Sequence, residues 1–249
     1  RYAPHQPLHA TTSLRSLTLA APQAGPLRMM VTLGIAGLCS GLAIVGIFLV
    51  TQPMIERNRA AALEAAIYRV LEGAKTRVAY VLREGKLARF ESPDGSLPKE
   101  EAVYAGYDEA GALLGFAVPA EGPGFQDTIK LLYGYSVEKE RVVGMEVLES
   151  RETPGLGDKI IKDAEFVGNF RDLAVEPDIV AVKGGRSGEN EVDAISGATI
   201  SSVAVCNIIN TSNQRWLGRL AEAEGVAKSG NGSSPDAATS GGAGSGGTE

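Results

Sequence analysis

The sequence predicts an α+β protein: a single N-terminal transmembrane helix, a stalk helix, and one domain of mixed antiparallel sheet and helices. Three observations carry this. Met29–Val50 is an apolar run without a charge. Ile55–Val78 repeats its apolar residues at three and four, as a helix does. From residue 79 onward, short apolar runs are separated by Gly, Pro and Asp turns, and one helical pattern follows them. The expected boundaries are a flexible tail over 1–28, a membrane helix over 29–50, a stalk over 51–78, the domain over 79–225 and a disordered tail over 226–249.

Composition limits the chemistry. The chain has 249 residues, with 24 basic against 30 acidic, and no basic run that would favour nucleic acid. The two histidines, His5 and His9, lie in the N-terminal segment, and the two cysteines, Cys39 and Cys206, stand alone. No metal site or disulfide framework can be built from them, and no residue is marked as catalytic. Any redox chemistry therefore needs an added organic cofactor. Tyr104, Tyr107, Phe116, Phe125, Tyr133 and Tyr135 can stack on one, although most are expected to be core.

Residues 1–28 carry Arg1, Arg15 and Arg28 and no acid, which reads as a flexible cytoplasmic tail. At about 1.5 Å per residue, Met29–Val50 covers roughly 33 Å, against a bilayer core of about 30 Å. Gly37 and Gly41 fit the small-xxx-small packing pattern, a weak signal by itself. A signal peptide is the rival reading. The run is long for a signal core, however, and Thr51-Gln52-Pro53-Met54 follows it in place of a cleavage site. Basic residues alone place the C-terminal side in the cytoplasm, because Arg57, Arg59 and Arg69 follow the span and only Arg15 and Arg28 precede it.

Leu63, Ile67, Val70 or Leu71, Ala74 and Val78 give the stalk its apolar face. Val78–Leu82 reads as a strand, followed by a turn at Ser92-Pro93-Asp94-Gly95. Val103–Tyr107 and Leu113–Val118 flank a turn at Asp108–Gly111, and Pro119–Phe125 reads as a rigid Gly–Pro loop. Ile129, Leu131, Tyr133, Tyr135 and Val137 alternate, Glu138–Arg141 turns, and Val142–Leu148 returns as the second strand of a hairpin. In Glu152-Thr153-Pro154-Gly155-Leu156-Gly157, Pro154 fixes one dihedral and the glycines allow positive φ, which makes a shaped loop with Leu156 between two glycines. It is not a dinucleotide fingerprint, since the third glycine is missing.

The stretch Asp193–Ser202 follows a strand-like run, Ile179–Val182, and the polar loop Lys183–Asn190. A helix continues from it, with Ile200, Ala204 and Ile208 expected on one face. Ser196–Ser202 thus opens a helix, where free N–H groups and the dipole favour an anion. Gly197 and Ala198 leave room near the backbone, and Thr199 presents a hydroxyl there. Taken alone, Ser196 or Thr199 reads as readily as an ordinary N-cap. Trp216, Leu217 and Leu220 are expected in a last helix, and the Gly/Ser-rich 229–249 cannot bury a core.

Ser196-Gly197-Ala198-Thr199 followed by Ile200-Ser201-Ser202 resembles the flavin-attachment motif of the FMN-binding domain family. Glu152–Gly157 resembles that family's second signature, in the right order. Ala117–Phe125, Leu132–Tyr135 and Val147–Ser150 resemble the G subunit of Rnf-type electron-transport complexes in particular; the C subunit of sodium-pumping NADH:quinone reductases shares the domain. The resemblance implies FMN held as a phosphoester on Thr199. It also implies cofactor contacts from Ser196, Gly197, Ala198, Ser201, Ser202, Glu152, Thr153, Gly155 and Leu156. It further implies maturation by a separate flavin transferase, neighbouring membrane subunits, and a place in the bacterial inner membrane with the FMN domain periplasmic, opposite to the charge count. The implied role is a membrane-anchored electron carrier in a complex coupling electron transfer between ferredoxin and NAD to ion translocation. A flavin-based redox sensor and a scaffold without cofactor are the readings from other classes. A sensor would carry an output domain, and a scaffold would not need Thr199.

Overall fold

The computed structural model describes residues 25–91, 98 and 100–230. Of the tails expected over 1–28 and 226–249, residues 26–28 and 226–230 belong to helices; residues 1–24 and 231–249 and the turn expected at Ser92–Gly95 lie outside the described residues.

Two compact units divide the chain at Ile55 and Glu56. The first holds most of α1 (Pro26–Val70), an apolar helix long enough to cross a membrane. Its large side chains, such as Leu33, Leu38, Ile44 and Phe48, are exposed, as suits a surface meant for lipid. The stalk is not a separate helix, and it ends at Val70 rather than Val78. Gly73 takes φ +92°, the Ala74 N–H turns back to the Leu71 carbonyl at 3.1 Å, and Thr76 already opens a strand. Ala74 and Val78 continue the three-and-four spacing only by coincidence.

The second unit is built on an antiparallel sheet of β1 (Thr76–Arg83), β2 (Lys86–Arg89), β3 (Ala102–Tyr107), β4 (Leu113–Pro123), β5 (Thr128–Ser136), β6 (Arg141–Glu149) and β7 (Leu173–Ala174). Their spatial order is β2-β1-β3-β4-β5-β6-β7. Alternation sorts the strands' side chains onto two faces. Ala79, Val81, Tyr104, Ala117 and Leu132 pack with Ala66, Ile67 and Val70 of α1 and with Leu71 just after it. Tyr80, Val103, Phe116, Leu131 and Tyr133 pack with α4 (Thr199–Gly230) on the other face.

Glycines let α1 approach the sheet. Gly134 and Gly144 pair across β5 and β6, and a Cβ on either would lie 2.5 or 2.7 Å from the Val70 carbonyl oxygen. The expected loop at Pro119–Phe125 is instead the second half of β4, paired with β5 from Pro119↔Leu132 to Pro123↔Thr128. Pairing with β3 stops at Ala117, so both prolines lie where β4 has only one neighbour and a missing N–H is tolerated.

Between β6 and α4 the chain forms α2 (Lys159–Lys162) and α3 (Ala164–Gly168), and then a parallel pair, β8 (Val180–Val182) and β9 (Glu191–Asp193). Asn210 of α4 clamps the approach to β8, donating to the Ile179 carbonyl at 2.8 Å and accepting from its N–H at 3.0 Å. β9 runs directly into the start of α4. The expected last helix near Trp216 is the continuation of α4.

Candidate functional site

Thr199 is the first residue of α4 and is half-buried. Ser202 N–H donates to the Ala198 carbonyl at 2.9 Å, so the N–H groups of Thr199, Ile200 and Ser201 precede the first helical bond. Ala198, just before the helix, has no side chain able to cap them. Gly197 takes φ +83°, a conformation that places the backbone open to approach, and Ser196 and Gly197 are exposed. Leu156 lies over this turn, with its Cδ2 3.7 Å from where a Gly197 Cβ would be. The loop signature and the helix signature, far apart in sequence, therefore meet.

Their junction is Glu152, which is buried. Its Oε1 accepts from the N–H groups of Phe125 at 2.9 Å and Gln126 at 3.0 Å, and its Oε2 accepts from the Ser201 hydroxyl at 2.5 Å. Burial pushes its pKa up. The Ser201 hydroxyl and the N–H groups of Gln126, Phe125 and Asp127 more than offset this and hold the carboxyl below its usual range. Gly124 and Gly157 press on the same group: a Cβ at Gly124 would collide with Oε1, and one at Gly157 would lie 2.7 Å from Oε2. Thr153 joins the same loops, donating to Gln126 Oε1 at 2.9 Å.

Three of the residues expected to contact a cofactor, Glu152, Ser201 and Ser202, are buried and bond within the protein. The Ser202 hydroxyl donates to the Ala198 carbonyl at 3.0 Å and accepts from the Ile195 N–H at 3.1 Å, stapling β9 to the helix. Among the described residues, the Thr199 hydroxyl has no such partner. Of Ile200, Ala204 and Ile208, expected on one face, Ala204 and Ile208 are buried with Ser201 and Val205, while Ile200, in the first turn, is 60% exposed.

Gly155 takes φ +78°, and its N–H donates to Asp158 Oδ1 at 2.7 Å. Lys162 pairs with the other oxygen at 2.5 Å and, together with the Gly155 N–H, lowers the Asp158 pKa. Beside the motif lies a groove of about 760 Å³ lined by Lys159, Lys162, Phe166, Arg186, Asp193 and Ser196. Asp193 Oδ1 is buried there and has no partner among the described residues. Free helix N–H groups, an unbonded threonine hydroxyl, three basic side chains and an unsatisfied acceptor fit a polar, anionic ligand with a hydroxyl-bearing chain. Among the described residues no cluster of His, Cys, Asp or Glu can hold a metal ion. Burial pushes the Cys206 thiol up to about 12, which makes it inert.

Comparison with known proteins agrees with this geometry. Residues 124–213, which span Gly124, Glu152, Leu156 and Thr199, match the model of the FMN-binding domain. The chain is 38% identical over 130 residues to the G subunit of the ion-translocating oxidoreductase complex of Methanosarcina acetivorans, covering 50% of this chain and 66% of that protein. It is 35% identical to the G subunit of the Na(+)-translocating ferredoxin:NAD(+) oxidoreductase complex of Acetobacterium woodii, covering 45% of this chain and 53% of that one. For the G subunit of the proton-translocating complex of Clostridium ljungdahlii the identity is 35%, covering 37% and 48%. The chain thus spans between about half and just under two thirds of these relatives' lengths. Among solved structures, NqrC of Shewanella oneidensis shares the fold, with TM-score 0.54 and 19% identity over 66% of this chain and 98% of that one.

Proposed function

We propose that this chain, which carries an FMN-binding domain and resembles the G subunits of Rnf-type complexes, is a membrane-anchored electron-carrier subunit holding FMN covalently on Thr199. The observation that carries the reading is the unbonded Thr199 hydroxyl at the uncapped start of α4, inside the matched domain.

FMN would supply the electron-carrying chemistry that no side chain here can. The chain's own residues attach, orient and shield it. The Thr199 Oγ forms the ester bond to the flavin's phosphorus. The free N–H groups of the first helical turn bind the remaining anionic oxygens, with the dipole in their favour. Ser196 and Gly197 line the approach, Leu156 covers the turn from the second loop, and Thr153 and Gly155 set that loop's shape. A separate flavin transferase would take the FMN unit from FAD. In that transfer the Thr199 Oγ would take the FMN phosphorus, AMP would leave with the oxygen of the broken P–O bond, and the hydroxyl proton would go to the transferase or water. The partners are the other membrane subunits of a complex coupling ferredoxin–NAD electron transfer to ion translocation, in line with the names of its relatives. The proposed location is a bacterial inner membrane, with α1 as the anchor and the flavin domain periplasmic.

The test is the intact mass of the denatured protein after production with an active transferase. The expected gain is one FMN less one water, on the peptide containing Thr199, and it is lost in Thr199→Ala with the fold intact. Flavin retained by Thr199→Ala after denaturation would rule this attachment out.

A further inference from the structure

Five of the six mid-chain aromatics are buried; Phe125 is the exception, at 62% exposure. It is not exposed through slackness. Its N–H is fixed on Glu152 at 2.9 Å, and the Gly124 N–H closes a tight turn on the Asp127 carbonyl at 2.9 Å. Leu156 is 50% exposed and Ile200 60%. Each of these three side chains is one residue from a group pressed against the same carboxylate: Gly124 and Gly157 by close approach, Ser201 by its hydroxyl. Single exposed apolar residues are ordinary. Three whose chain neighbours all press on one buried carboxylate, beside the start of the helix that begins with Thr199, are held where a single ligand can cover them.

We propose that Phe125 is a flavin-contacting residue, its ring forming with Leu156 and Ile200 an apolar wall that shields the isoalloxazine from water. This rests on the reading of Thr199 as the attachment point. A ring tethered there is confined to the neighbourhood of this surface, and it is the occupant present in every turnover. A flat apolar ring also matches an aromatic and two aliphatic side chains better than a polar partner would. The Glu152 carboxylate holds the Phe125 backbone, the Leu156 loop and the first turn of α4 in one fixed relation, so the wall exists before the flavin arrives.

The experiment uses the full-length flavinylated protein as wild type, Phe125→Ala, Phe125→Leu and Phe125→Trp. Intact mass first measures labelling in each. Iodide quenching of flavin fluorescence then measures solvent access to the ring. The quenching constant is expected to rise about twofold in Phe125→Ala as one wall is removed and to stay near wild type in Phe125→Leu. Phe125→Trp is expected to lose most of its flavin emission, because an indole in contact donates an electron to the excited ring. Full labelling with equal quenching constants and undiminished emission in Phe125→Trp would overturn the inference alone. A wild-type protein without the FMN mass increment on Thr199 would overturn both this inference and the reading beneath it.

Discussion

Glu152 shows what a single residue does here. An ionised carboxyl can be buried only if donors replace the water it loses, and the Phe125 and Gln126 N–H groups and the Ser201 hydroxyl do so. Removing the carboxyl in Glu152→Ala orphans the buried Ser201 hydroxyl, a loss of about 1–3 kcal/mol, and unties the Phe125 and Gln126 N–H groups, so a drop in denaturation midpoint is expected. Glu152→Gln keeps a carbonyl for the two N–H groups and an amide donor for Ser201, and should fold with a smaller loss. The pH dependence has a definite sign. The folded pKa of Glu152 is depressed despite burial. Its stabilisation is therefore complete above the unfolded carboxyl's value of about 4.3, and is lost as pH falls through the folded value. Between about pH 6 and pH 3, the melting temperature of Glu152→Gln should fall less steeply than that of wild type. Parallel slopes would mean that Glu152 carries no charge worth protecting. The pairing at this hub was not legible in the sequence. Glu152 and Ser201 stood out there only as separate cofactor contacts implied by the resemblance, and the bonds joining Glu152 to residues 125, 126 and 201 exist only once the folded sheet brings them together.

At the scale of elements, legibility followed length. The alternation over Ile129–Val137 and the apolar return over Val142–Leu148 announced β5 and β6, because nine-residue strands joined by a polar turn are long enough to show a pattern. β2 and β9 were missed because four or three mixed residues show no period. The end of α1 was misjudged because apolar spacing carried across Gly73, where positive φ, not periodicity, stops the helix. The N-terminal position of Thr199 was legible because a strand run, a polar loop and Gly197 precede a long apolar helix. The glycine pair under α1 makes the sharpest test of packing between elements. A Gly134→Ala methyl would sit 2.5 Å from the Val70 carbonyl oxygen and 3.0 Å from Leu71 Cδ2, and the nearer of these is backbone, which cannot rotate away. Overpacking of this kind costs about 1–3 kcal/mol. Chemical denaturation should show that loss for Gly134→Ala, while Gly168→Ala, with nothing within 4 Å of its new methyl, stays near wild type. Equal midpoints for the two variants would mean that α1 does not rest on these glycines.

For the whole molecule, the two units make separable demands on the chain. The residues before Glu56 carry most of the exposed large apolar side chains, while Ala66, Ile67, Val70 and Leu71 belong to the core under the sheet. The membrane-directed part can therefore be removed only up to a point. A chain beginning at Glu56 should be soluble without detergent, melt as the full-length domain does and still accept flavin on Thr199, since every residue of the site lies after it. A chain beginning at Glu72 loses those four core side chains. Fully burying a Val, Leu or Ile contributes about 1.5–3 kcal/mol each, and domains of this size hold only about 5–15 kcal/mol in total. The shorter chain should be largely unfolded, and circular dichroism of the two truncations decides the matter. A folded, flavinylated protein starting at Glu72 would mean that the helix end is an attachment to the domain rather than part of its core.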